Sequence, residues 1–313
     1  MHTARLHEMQ QRQASPSAVA DLALAAALWG GLYVVSAAAF SAVPPATLTL
    51  LRLALGVGVL TLFGRLRGES SGWNLAPHRA TVIAAAVGAT SMLLQFGGTS
   101  LTSGVEGAVV TMSTPVFVLL FGRAREGEPI APRAWLGIAV ATLGVAVLAL
   151  RASGALEASS IATQLNMSRL LGVGMLIGAG ATWALYSSLG RPIVAAIGAR
   201  RAIALTATIS LPLIVPFAAI ELAVRGIDLR AATEPATLAA IAYLGIGATA
   251  IGWSSWYRGY AAAPPRTAAG ILFLQPLVAA VLGVGLLHEP LDAGLAAGAL
   301  LLLGGVALIT RAP

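Results

Sequence analysis

Apolar residues come in long, almost unbroken blocks, each closed by a short polar segment. The blocks fall at 22–40, 46–64, 80–99, 107–122, 134–150, 170–190, 202–222, 237–257, 269–287 and 293–309. Most approach the roughly 20 residues that a helix needs to cross about 30 Å of hydrocarbon. The pattern therefore predicts an all-α integral membrane protein with ten transmembrane helices. Residues 1–21 read as a polar tail, and 151–169 as a linker between two five-helix units, 22–150 and 170–311.

The two units repeat one another. Residues 107–149 lie over 268–310 without a gap. They match at Pro115/Pro276, Gly122/Gly283, Glu128-Pro129/Glu289-Pro290, Gly137/Gly298 and Gly144-Val145-Ala146/Gly305-Val306-Ala307. A unit of five spans is odd, so its second copy enters the bilayer upside down. Such inverted repeats are a recurring carrier plan, with the substrate site near the midplane between them.

Charge sets the orientation. All 19 basic residues are arginine. Fourteen lie in the tails and in the connections after spans 2, 4, 6 and 8; Arg151, Arg169, Arg225 and Arg230 lie on the opposite side. The positive-inside rule then predicts both termini in the cytoplasm, the Glu128-Pro129 turn inside and the Glu289-Pro290 turn outside. The net charge of +7 is spread between apolar runs rather than gathered in one patch, so nucleic acid is not an expected partner. With 58% hydrophobic and 10% charged residues, against about 25% charged in soluble domains, the expected partner is lipid. Cysteine is absent, which removes disulfide and thiol chemistry.

Candidate chemistry is sparse. His2, His7, His78 and His288 fall in tails or connections, and no block contains a nucleophile beside a base. No enzyme, metal or cofactor is expected on this pattern. No carboxylate lies deep in a span; Asp21, Glu106 and Glu289 sit at ends or in connections. Proton coupling through an intramembrane acid is therefore not expected. Arg52 is the one arginine inside a span, and two readings stay open for it. It snorkels to the interface, or it serves as a gate or a substrate-carboxylate contact.

Polar and aromatic residues recur at helical spacing, which puts each set on one stripe. Span 1 has Trp29, Tyr33 and Ser36; span 3 has Ser91, Met92, Gln95 and Thr99; span 6 has Trp183, Tyr186 and Ser187; span 8 has Thr249, Trp253, Trp256 and Tyr257. Thr111, Thr114 and Gln275 add to them. Trp135, Trp256, Tyr257 and Tyr260 read as interface anchors. Trp29, Tyr33, Met92, Gln95, Thr111, Trp183, Tyr186, Ser187, Trp253 and Gln275 are expected to line a shared central cavity, because buried amides facing lipid would go unpaired. Pro115 and Pro276 are expected to kink spans 4 and 9 as hinges. Small-residue pairs such as Gly174/Gly178 and Gly294/Gly298 are expected to pack within one chain, and a monomer is expected.

These residues resemble the EamA-type members of the drug/metabolite transporter superfamily. The resemblance runs over nearly the whole chain. It is carried by Leu28-Trp29-Gly30, the Pro44-Pro45 turn with Leu51-Arg52, the two Pro…Glu-Pro span pairs and the stretch from Thr249 through Trp253 to Ala268. It implies ten helices in two inverted repeats, both termini inside, and export of small metabolites across the bacterial inner membrane. The aromatic and neutral amino-acid exporters of YddG type are the most similar branch. An exporter of lipophilic cations such as viologens is the alternative, though the membrane carboxylate that such carriers use is absent here. A sugar-nucleotide carrier would want more cationic groups than Arg52 in its cavity.

Overall fold

The computed structural model describes residues 15–66, 79–126, 131–152, 166–263 and 271–310. The Glu128-Pro129 turn, most of the N-terminal tail and most of the 151–169 linker lie outside the described residues.

Local chemistry starts most helices. The Ser15 hydroxyl accepts from the Ala18 amide and Pro16 occupies the first turn, so α1 runs Pro16–Ala39, six residues earlier than the apolar block suggests. After the Pro44-Pro45 turn, α2 spans Pro45–Leu66, and α3 spans Arg79–Leu101. Ser103 caps α4, Gly104–Thr111, by accepting from the Glu106 amide at 3.2 Å. Then come α5 (Thr114–Glu126), α6 (Pro132–Ala152) and α7 (Met167–Ile197). Gly198, at φ 81°, turns the chain directly into α8, Ala199–Arg225, a backbone conformation that disfavours any residue with a Cβ. A short α9, Leu229–Ala232, precedes α10, Pro235–Ala242. Helix α11 covers Gly252–Ala262, α12 Leu274–Leu287 and α13 Ala293–Thr310.

Among the described residues, span 9 turns at Leu272 and Phe273 before α12, and two further expected spans are irregular. Span 4 is broken: α4 stops at Thr111, Met112 and Ser113 form a turn, and α5 restarts at Thr114-Pro115. The break precedes Pro115 because a proline that lacks an N–H fits the first turn of a new helix. Span 8 winds as a π-helix over Tyr243–Ile251, where the Thr249 hydroxyl reaches back five residues to the Leu244 carbonyl at 2.8 Å. Wide turns of this kind are rare and gather at functional sites.

Among the described residues, six helices are long and apolar enough to cross a membrane: Pro16–Ala39, Pro45–Leu66, Arg79–Leu101, Met167–Ile197, Arg200–Arg225 and Pro235–Tyr260. Shorter apolar helices accompany them at Gly104–Val118, Pro132–Leu148, Leu274–Leu287 and Ala293–Ile309. Polarity is inverted relative to a water-soluble fold. Ser36, Thr49, Glu106 and Ser255 are fully buried, whereas Val224, Val281 and Leu300 are more than 70% exposed. Apolar surface of that extent suits lipid.

Glycines decide how closely the helices approach. A Cβ on Gly137 would meet the Gly305 carbonyl oxygen at 2.6 Å, and one on Gly144 the Gly298 carbonyl oxygen at 2.8 Å, so α6 and α13 touch backbone to backbone. Gly98 of α3 meets Gly172 of α7 in the same way, and Gly259 of α11 meets the Ala18 carbonyl of α1 at 2.9 Å. Close packing through small residues is how helices associate where lipid offers no hydrophobic drive. Gly174 does not share this role: a Cβ there would meet nothing within 4 Å.

Candidate functional site

A central cavity opens where α1, α2, α3, α7, α11 and α12 surround the break between α4 and α5. It is a narrow cavity of about 100 Å³, partly open to solvent, smaller than the roughly 300–1,000 Å³ of sites that enclose a drug-sized ligand. Of the residues expected from the sequence, Trp29, Tyr33, Arg52, Met92, Gln95, Thr111, Pro115, Trp183, Trp253 and Gln275 line it. A second groove, walled by Leu93, Leu94, Met175, Phe217 and Ile220 beside Glu221, is more open and has few convergent polar groups.

One end of the cavity is a polar corner. The Gln95 Nε2 donates to the Tyr33 hydroxyl at 2.8 Å, tying α3 to α1. Thr111, the last residue of α4, donates to the Gly107 carbonyl at 2.7 Å, and Thr114 donates to the Thr111 carbonyl. The second bond satisfies the Thr111 carbonyl, whose partner four residues on is Pro115, which has no N–H to donate. Arg52 is 3% exposed, with its guanidinium 4.5 Å from the centre of the Phe96 ring. Snorkelling to the interface, one of the two readings of its position, is therefore not what the side chain does.

The other end is walled by tryptophan. The Trp29 indole N–H donates to the Ala248 carbonyl at 3.0 Å, within the π-helical stretch. Its ring meets Trp183 edge-on at 6.4 Å and Trp256 at 5.3 Å, and Trp183 meets Trp253 at 6.2 Å. Such aromatic pairs hold one another's orientation. Trp29 lies one turn along α1 from Tyr33, so polar corner and tryptophan wall are about 6 Å apart along the helix axis.

Three expected members lie off the wall. Tyr186 is buried behind Trp183, its ring 5.4 Å from that indole and its hydroxyl bonded to Thr206 at 3.0 Å. Ser187 sits one turn past Trp183, exposed, and donates to the Trp183 carbonyl. Pro276 is buried in the first turn of α12, next to Gln275. Helical phase alone grouped them with their neighbours; packing places Tyr186 against Trp183 and Thr206 and leaves Ser187 exposed. Tyr186→Phe should therefore leave transport unchanged and cost about 1 kcal/mol of stability, since Thr206 keeps its bond to the Ala202 carbonyl. Parallel measurement of melting midpoint and flux checks this.

Other features escaped the sequence reading. Trp256, expected at the interface, lines the cavity; its i, i+3 spacing from Trp253 was the available signal. Glu106, expected in a connection, is fully buried in α4 and pairs with Arg169 at 2.9 Å. Among the described residues, no carboxylate or histidine lines the cavity. Such a wall can hold and orient a small molecule.

Comparison with known proteins bears on the whole chain. The profile of the EamA-like transporter family matches residues 17–150 and again 170–311. The chain belongs to the EamA-like transporter family. Two uncharacterized transporters of Archaeoglobus fulgidus are similar to it, each 24% identical over 294 residues; one alignment covers 92% of this chain and 96% of the relative, the other 93% and 97%. A solved crystal structure superposes with a TM-score of 0.64 at 21% identity, covering 94% of this chain and 97% of the other, a likeness of fold. This EamA-like chain is thus a multi-pass membrane transporter, and the tryptophan-walled cavity is its candidate substrate site.

Proposed function

We propose that this EamA-like chain exports amino acids, aromatic and neutral ones above all, across the bacterial inner membrane by alternating access. In this reading ten transmembrane helices form two inverted five-helix repeats, 22–150 and 170–311, with both termini cytoplasmic and the cavity between the repeats. The observation that carries it is a cavity with a cationic and amide-bearing corner at one end and tryptophans at the other. A zwitterion with an apolar side chain has matching parts.

The helix contacts support the repeat. Gly137 meets Gly305 while its sequence twin Gly298 meets Gly144. Gly98 meets Gly172, and the equivalent positions Gly259 and Ala18 meet each other. A two-fold axis relates contacts in this reciprocal way. The turns at Met112-Ser113 and at Leu272-Phe273 fall within one residue of each other in the repeat alignment, just before the paired Pro115 and Pro276. Broken helices at matching places in two halves are where carriers of inverted-repeat design place their substrates.

Lipophilic cations are the second reading, because indole faces attract cations. Purified protein in liposomes decides between them. We expect counterflow of labelled L-phenylalanine well above empty vesicles and weak movement of methyl viologen. Viologen movement without flux of any amino acid would replace the first reading by the second.

A further inference from the structure

We infer that Arg52 receives a substrate carboxylate, so that the cavity selects molecules carrying one carboxylate on an apolar or aromatic body. The inference rests on reading the cavity as the transport site. Arg52 lies well inside α2, almost wholly buried, and lines the cavity. Among the described residues it has no hydrogen bond and no acidic partner, and its Nε is buried without a partner. The Phe96 ring beside it offers a cation–π contact, with the guanidinium carbon 4.5 Å from the ring centre. Taking a charged group out of water costs more than such a contact returns. The compensating group has to come from the space the guanidinium faces.

The remainder of the cavity narrows the class. A bare inorganic anion would satisfy Arg52 and leave the tryptophan wall unused. A phosphate ester would bring two negative charges to one arginine. A monocarboxylate with an apolar body reaches both ends, its carboxylate toward Arg52 and Tyr33 and its body, with or without an ammonium group, toward Trp29, Trp183 and Trp253. Arginine suits the task because its fork holds two carboxylate oxygens at once.

The test measures binding to purified full-length protein by tryptophan fluorescence and by melting midpoint, using phenylacetate, phenylacetamide, L-phenylalanine and phenethylamine. The two carboxylates should bind about tenfold or more tighter than the amide and the amine, the scale of a charge-assisted hydrogen bond. Arg52→Gln should abolish that preference and Arg52→Lys should keep part of it. Equal binding of acid and amide to the wild-type protein would overturn the assignment, and this comparison needs no variant to fold. Wild-type acid affinity in Arg52→Gln would overturn it too, as would displacement of phenylacetate by equimolar chloride. Arg52-dependent binding of phenylacetate without amino-acid flux would sink the amino-acid reading and leave the assignment standing. Amino-acid flux with indifference to amidation would do the reverse.

Discussion

Gly30→Leu should abolish transport and lower the melting midpoint more than any cavity substitution. Gly30 follows Trp29 on α1, where α1 crosses the start of α12. A Cβ there would lie 2.5 Å from the Gln275 carbonyl oxygen and 2.8 Å from the Val278 Cβ. The first obstacle is backbone, which cannot rotate aside as a side chain can. Accommodating leucine means pushing α12 away from α1, which pulls Gln275 off the cavity wall and disturbs the seat of Trp29. Overpacking costs about 1–3 kcal/mol when side chains can yield, and more when backbone must move. Gly30→Ala should show the same defect at smaller scale. Gly58→Leu is the control, because a Cβ on Gly58 meets nothing within 4 Å and the position is exposed. The check is the order of melting midpoints and of phenylalanine counterflow: Gly58→Leu near wild type, then Gly30→Ala, then Gly30→Leu. A Gly30→Leu protein with wild-type midpoint would mean that α1 and α12 do not meet as described.

Glu289→Ala should loosen the joint between α4 and the turn that links α12 to α13. The turn is held first by its own backbone. His288 takes a left-handed conformation at φ 55°, and the Glu289 amide donates to the Gly283 carbonyl at 3.0 Å. The Glu289 carboxylate then reaches across to another helix. One oxygen accepts from the Gly104 amide at 2.8 Å and the other from the Val105 amide at 2.9 Å. These are unsatisfied N–H groups of the first turn of α4, where the helix dipole also favours a negative charge. Glu221 serves α2 similarly, accepting from the amides of Ala46 and Thr47. Alanine at 289 strands two buried N–H groups, at about 2–4 kcal/mol. Glu289→Gln keeps one acceptor and should cost less. The native chain has no cysteine, so a single Val34→Cys reports on the joint. Val34 is 1% exposed, and its backbone packs against Gly104. Thiol labelling at 34 should be slow with Glu289 present and several times faster in the Glu289→Ala background; equal rates would show that the carboxylate does not hold this joint.

Run length and polarity were legible because they depend on how many apolar residues follow one another, and the bilayer imposes that count on any sequence. The helix-breaking effect of Pro115 was legible for a similar reason, since a missing N–H is a local property. The stripes of Trp29/Tyr33 and Met92/Gln95 followed from helical spacing, and both pairs line the cavity.

Periodicity says which residues share a face, but the direction of that face depends on the helices packed against it. Trp256 turns inward, Tyr186 sits behind Trp183 and Ser187 faces out because of where α1, α8 and α11 lie around α7. The same holds for charge. Position along the chain put Glu106 in a connection and left Arg52 free to reach the interface, while packing buried both, one against Arg169 and the other over Phe96. The π-helical turn at 243–251 is also tertiary: its widened backbone supplies the carbonyl that fixes the Trp29 indole, a partner 219 residues away. The chain's own pattern thus determined that it spans a membrane as a set of helices. Contacts between residues far apart in sequence decided which polar groups face one another across the cavity, because burial and pairing are properties of neighbours in space.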